Sequence, residues 1–119
     1  MPRVNYFEMQ AREPERAAEF YSNVFGWKIK KWDGPADYWL ISTGEGDGID
    51  GGMAKGETGA GTILSIDVDS VDEFTKKITG AGGKVIKPKH ALPGSGWLAH
   101  FADTEGNTFY IMESDPEAK

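Results

Sequence analysis

Cysteine is absent from this 119-residue sequence, which excludes a disulfide framework and a thiolate zinc site. Histidine is nearly absent: His90 and His100 are the only two, so a metal centre built on imidazoles has little to draw on. No uninterrupted apolar run is long enough to cross a bilayer, and no charged-then-apolar leader opens the chain. The expectation is a soluble, cytoplasmic protein with no membrane partner. Positive charge is in deficit, with a formal net charge of −6. That argues against a nucleic-acid partner, because phosphate binding needs clustered Lys and Arg. The lysines of "KIKK" and "KVIKPK" recur within strand-like segments and read as solvated faces or edge protection. The remaining 39% of hydrophobic residues suffices for one domain, or for two small halves sharing one core.

Alternation and helical spacing divide the chain into elements. Val4 to Gln10 reads as a strand whose Phe7 and Met9 point one way and Tyr6, Glu8 and Gln10 the other. Glu13 is placed to cap the following helix, and Pro14 suits its first turn. Ala17, Phe20, Tyr21 and Val24 fall at helical spacing as its buried stripe, and Gly26 ends it. "WKIKKW" and "DYWLIST" read as two further strands, and a glycine-rich stretch, "GEGDGIDGGMAKGETGAG", holds a short fourth around Ile49 to Lys55. The order then repeats. "TILSIDV" is a strand, and Asp69 or Ser70 caps a helix with the stripe Val71, Phe74, Ile78 and Ala81. "KVIKP", "WLAHFAD" and "TFYIME" are strands, "KHALPGSG" is a loop, and the tail "SDPEAK" reads as frayed.

The pattern is β-α-β-β-β twice. The fold class it predicts is α+β, two βαβββ modules in one chain, with a sheet backed by a helix in each. The first module covers about residues 1–58 and the second about 59–119. Phe7, Met9, Leu64, Ile66, Phe109 and Ile111 are the helix-facing core set. The complementary set, Tyr6, Glu8, Ile63, Ser65, Asp67, Tyr110 and Met112, faces away from the helices, where a concave ligand cavity can form; if Phe101 packs on the helix side, Leu98 and His100 join it.

Several features have plain structural readings. "DTEGN" is a hairpin turn with Gly106 at positive φ. "EGDGIDGG" lacks the ligand spacing of a calcium loop and the lysine of a phosphate loop, so it reads as a connection. His90 falls in a loop. Trp27, Trp32, Trp39 and Trp97 each want burial with a partner for the indole N–H, and Trp97 is placed to cover the cavity or to sit at a subunit interface.

"FEMQAREPERAAEFYSNVFGWKI", "VDSVDEFTKKITGAGGKVIKPK" and "GWLAHFADTEGNTFYIME", taken in order, resemble the first module, the start of the second and the closing hairpin of the vicinal oxygen chelate superfamily. This is also called the glyoxalase/bleomycin resistance/dioxygenase superfamily, and the chain is most similar to its small glyoxalase-related proteins. The resemblance covers nearly the whole chain as a single vicinal oxygen chelate domain. It implies paired βαβββ modules, a homodimer and a cavity between the modules.

In the metal-dependent members, His, Glu or Gln on the first and last strands of each module hold a divalent metal. Those positions fall here on Tyr6, on Gly51 or Gly52, on Ile63 and on Tyr110, and none is a histidine or carboxylate. The expectation is therefore a metal-independent small-molecule binding protein without a cofactor. Its ligand-binding cavity is lined by Tyr6, Glu8, Ile63, Ser65, His100, Tyr110 and Met112. The alternative is a lactoylglutathione-lyase-related enzyme, a lyase or isomerase, that uses Glu8 and His100 as acid and base or an unplaced metal site. A carboxylate beside an imidazole favours the imidazolium, so on either reading His100 is expected to hold its proton more tightly than a free histidine.

Overall fold

A computed structural model describes residues 2–56 and 61–119. The end of the glycine-rich connection, residues 57–60, lies outside the described residues. Among those described, the order is β1 (Arg3–Ala11), α1 (Pro14–Phe25), β2 (Lys28–Lys31), β3 (Tyr38–Ser42), β4 (Asp50–Lys55), β5 (Ile63–Asp67), α2 (Val71–Gly80), β6 (Lys84–Leu92), β7 (Gly96–Ala102) and β8 (Thr108–Ser114). This is the α+β, twice-repeated βαβββ order that the alternation predicts. The chain divides into two compact units, one of Tyr6–Ile63 and one of Leu64–Lys119 with Met1–Asn5.

In the first unit the strands lie in the order β2-β3-β4-β1, with β1 and β4 parallel and the other neighbours antiparallel. Trp39, Ile41 and Met53 are buried, and Phe7, Met9, Ala11, Ala17, Ala18, Trp27 and Ile29 pack against them. The helix-facing parity of β1 is therefore as expected. Gly26 closes α1 at φ 76, its N–H donating to the Ser22 carbonyl at 3.0 Å. Only glycine takes that backbone conformation without strain.

Two expectations for α1 fail. Glu13 stands at the N-cap position, but its side chain caps nothing. It lies 3.5 Å from Arg16 instead, because the longer Glu side chain does not return to the first-turn N–H groups as Asp or Ser does. The stripe is also rotated. Ala17 packs against the core and Tyr21 is half-buried, stacked on Trp27, while Phe20 and Val24 are 55% and 56% exposed. The small Ala17–Ala18 pair lets the helix settle close to the sheet and turns the larger side chains outward.

The second unit repeats the topology as β5-β8-β7-β6, with β5 and β8 parallel. Val68, Val71, Ala99, Phe101 and Ile111 form its core, joined by Ile66, Phe74, Ile78, Trp97 and Phe109. Leu64 departs from the helix-facing set and is 43% exposed. Ser70 caps α2 through the Glu73 N–H at 3.1 Å. Glu113 of β8 takes the Val71 N–H at 2.9 Å, so two of the helix's orphan donors are satisfied.

β6 is longer than expected and includes His90, whose Nδ1 lies 3.0 Å from the Pro88 carbonyl. Pro88 has no N–H for the ladder, and the register shifts between Lys87 and His90. The strand thus passes its proline through an irregularity. The tail is docked rather than frayed. Trp97 donates its indole N–H to Asp115 at 3.0 Å, the Gly94 N–H reaches the Ala118 carbonyl at 3.0 Å, and Ala118 is buried. Trp97 consequently lies on the α2 side of the sheet and is not a cover for the opposite face. The "DTEGN" turn is as expected, with Gly106 at φ 84 and Asp103 accepting from Glu105 and Asn107.

Candidate functional site

The face of the first unit away from α1 carries an unusual polar arrangement. Strand alternation sets Tyr6 and Glu8 on that face of β1, because Phe7 and Met9 go to the core. On β3, Trp39 and Ile41 are buried, so Tyr38 and Leu40 take the same outer face. Pairing through β4 then brings the two strands into line. Glu8 and Leu40 both register on Gly52, and Tyr38 registers on Ala54.

The result is a hydrogen-bonded chain. The Tyr6 and Tyr38 hydroxyls are 2.5 Å apart, and the Tyr38 hydroxyl donates to Glu8 Oε1 at 3.3 Å. Tyr38 has one proton, and the carboxylate can only accept. Both contacts are satisfied together when Tyr6 donates to Tyr38 and Tyr38 donates to Glu8.

Gly52 makes this possible. A methyl group there would fall onto the Tyr38 and Tyr6 hydroxyls, so the phenols meet over a strand position that carries no side chain. Burial raises the pKa of both phenols. The hydrogen bond from Tyr6 raises Tyr38 further, and the charges of Glu8 and Asp50 add to the rise at Tyr6, against a lowering by the Tyr38 hydrogen bond. Both phenols are neutral at physiological pH.

In the second unit, Ala99, Phe101 and Ile111 point to the core, so Ser65, His100, Tyr110 and Met112 take the opposite face. Ser65 pairs with Tyr110, which pairs with His100, and Met112 lies one step along the strand opposite Leu98. The His100 and Tyr110 rings are 4.5 Å apart between centroids. Nε2 of His100 is buried without a hydrogen-bond partner among the described residues. Burial lowers the His100 pKa, the reverse of the direction expected for an imidazole held by a carboxylate, because loss of water around the ring penalises its charged form. Ile63 begins β5 and is half-buried.

The positions at which the metal-dependent pattern would place its ligands thus hold Tyr6, Gly51 or Gly52, Ile63 and Tyr110. The Tyr6 phenol is neutral and engaged with Tyr38. Glycine and isoleucine side chains offer no donor atom. This set does not fit a divalent transition metal. Among the described residues, no three His, Asp or Glu side chains lie together as a metal site would need. A cavity of about 610 Å³ opens elsewhere, at the start of α1 between Arg12, Arg16, Phe20 and Tyr21. Arg16 and Glu13 there are 82% and 64% exposed, and ion pairs so fully in water bind little.

The Glyoxalase/Bleomycin resistance protein/Dioxygenase superfamily matches residues 3–111. The chain belongs to that superfamily. A "Glyoxylase-like domain-containing protein" of Didymella fabae is 34% identical over 116 residues, covering 91% of each chain. Among solved structures, a superfamily member from Vibrio splendidus 12B01 superposes with a TM-score of 0.72 at 14% identity, covering 96% of this chain and 100% of its own. Methylmalonyl-CoA epimerase from Mycobacterium tuberculosis gives 0.73 at 12% identity, covering 95% and 88%. At such identities the structural matches establish the glyoxalase fold alone.

Tyr38 is the site residue that strand-by-strand reading misses. Its partner Tyr6 is 32 residues away, and nothing local marks the pair. The available signal is "GG" within a strand: glycine inside a sheet marks a close approach, here of two phenols.

Proposed function

We propose that this superfamily member binds an organic small molecule without a metal, on the sheet face that carries Tyr6, Tyr38 and Glu8. The observation that carries the reading is the Tyr6–Tyr38–Glu8 chain lying over Gly52. Polar groups held in a fixed orientation beside aromatic surface are what a ligand face requires, and a neutral phenol stands where the metal-dependent members carry a ligand. Ile63 belongs to the same proposed set in the first unit, and in the second unit Ser65, His100, Tyr110 and Met112 are proposed as ligand-contacting residues in their own right, with the polar and aromatic character of the His100–Tyr110 pair in support. The protein works as a cytoplasmic homodimer. Exposed Phe20, Val24 and Phe25 on α1 supply apolar surface of the kind subunits cover. Light scattering at high micromolar concentration checks this: twice the chain mass is expected, and the single-chain mass overturns it.

The binding reading is tested by a thermal-shift survey of small organic molecules in the presence of a chelator, alongside mass spectrometry of what copurifies. A ligand specific to the native state raises the melting temperature with concentration. The rise is expected to vanish in Tyr38→Phe together with Glu8→Gln. A ligand whose shift survives both substitutions binds elsewhere.

A second reading, an acid–base lyase or isomerase, draws on His100. Burial lowers its pKa and so favours the neutral imidazole, the form that a general base needs. A chelator-insensitive turnover lost in His100→Gln supports it.

A further inference from the structure

Two register shifts in β6 flank a single residue, Lys87. Val85 pairs with Phe101, Lys87 with His100 and His90 with Leu98. Phe101 lies in the core, so Val85 is on the α2 side of the sheet. Strict alternation would put Lys87 and Lys89 there too. Lys89 does lie there, 3.1 Å from Asp72 and 4.8 Å from the Trp97 ring centre. Lys87 does not. The shift between Val85 and Lys87 turns it to the opposite face, beside His100, and the shift between Lys87 and His90 returns the strand to its earlier parity. Pro88 accounts for the second shift, but no proline requires the first. Bulges re-aim side chains, and the side chain re-aimed here is a cation.

The face that receives Lys87 carries His100, Tyr110 and Ser65 in register across β7, β8 and β5. The next row is His90, Leu98, Met112 and Asp67. His90 donates its Nδ1–H to the Pro88 carbonyl, which can only accept, so Nε2 is the ring nitrogen left for another group. Among the described residues, the charges of β5 to β8 on this face are Lys84, Lys87 and Asp67. Asp67 is three strand spacings from β6, roughly 14 Å. That exceeds the screening length of about 8 Å in physiological salt. Lys84 adjoins the acidic turn at Asp103 and Glu105, whereas Lys87 makes no ion pair among the described residues. The β6 side of the face is therefore positive at Lys87, in a chain whose net charge is −6. Half-buried Leu98 and Met112 and the paired His100 and Tyr110 rings lie beside it.

We propose that Lys87 is a ligand-contacting residue of this face and that it selects an organic anion, a carboxylate carried on an apolar body. The carboxylate meets Lys87 Nζ, and the body lies on Leu98 beside the His100 and Tyr110 rings. The inference rests on the second-unit part of the binding reading above. It adds a residue that plain alternation assigns to the other face, and it asks nothing of the Tyr110 hydroxyl.

Phenylacetate, phenylacetamide and phenethylamine share one body and differ in charge. Each is titrated into the full-length protein at neutral pH and followed by NMR of the His100 and Tyr110 rings and the Lys87 ε-methylene. Phenylacetate is expected to shift all three and to bind about two- to fivefold more tightly than the amide, the margin of one exposed ion pair. Phenethylamine is expected to bind most weakly. In Lys87→Gln the margin is expected to disappear, and in Lys87→Arg and Lys84→Gln to remain. If the amide or the amine moves the same resonances at equal or lower concentration, the anion preference is overturned and the face remains a binding site. A margin that survives Lys87→Gln overturns the assignment of Lys87. If none of the three moves the His100 and Tyr110 resonances, the binding reading of this face falls as well. The three-probe comparison in the native protein decides the charge class even where a variant does not fold.

Discussion

The Tyr6 hydroxyl lies 2.5 Å from the Tyr38 hydroxyl across 32 residues of chain, and Tyr38 passes the interaction on to Glu8 at 3.3 Å. Tyr38 is the middle of that chain, at once acceptor and donor. Its removal breaks both contacts, whereas removal of the Tyr6 hydroxyl breaks one.

Tyr38→Phe is therefore expected to destabilise the protein by about 1–3 kcal/mol, the range for leaving half-buried partners unsatisfied. Tyr6→Phe is expected to cost less. Urea unfolding of both variants and of the double variant gives the comparison, and coupling between the two sites is expected. Equal losses that simply add would show that the hydroxyls do not interact.

Gly52→Ala places a methyl group on the two phenols. Overpacking of this kind costs about 1–3 kcal/mol, and here it also separates Tyr6 from Tyr38. The expected outcome is a lower urea midpoint together with a changed near-ultraviolet circular dichroism signal from the tyrosines. An unchanged tyrosine signal would mean that the rings do not meet over this residue.

The helix-facing half of β1 was legible because Phe7 and Met9 alternate with Tyr6 and Glu8, and period two needs no knowledge of partners. The glycine stops at Gly26 and Gly106 were legible for the same local reason. Tyr38 was not, because its role depends on the β3–β4–β1 register, which no short window contains. Leu64 obeys the alternation of β5 yet is exposed, since parity assigns a face but not whether a neighbour covers it. The tail looked frayed because Pro116 and Glu117 are surface residues. Its anchor is the indole of Trp97, 18 positions back from Asp115. The Glu8–His100 expectation rested on parity alone, and the direction of the His100 shift is set by burial.

That direction has a consequence for stability. His100 has a lower pKa folded than the ordinary histidine value of about 6.5. Its contribution is then fully present above that value and is lost as pH falls through the folded pKa, since the unfolded chain takes up the proton first. Between pH 7.5 and 5 the urea midpoint of the native protein is expected to fall more steeply than that of His100→Gln. Parallel curves would show an imidazole equally hydrated in both states.

The central claim is that a phenol–carboxylate chain occupies this face in place of a metal centre. Elemental analysis of untagged protein, purified without chelators and carried through gel filtration, tests it most directly. Zinc, nickel, iron and manganese are each expected far below one equivalent per chain. One equivalent of any of them, retained through the column, would contradict the claim and return the site to the metal-dependent pattern.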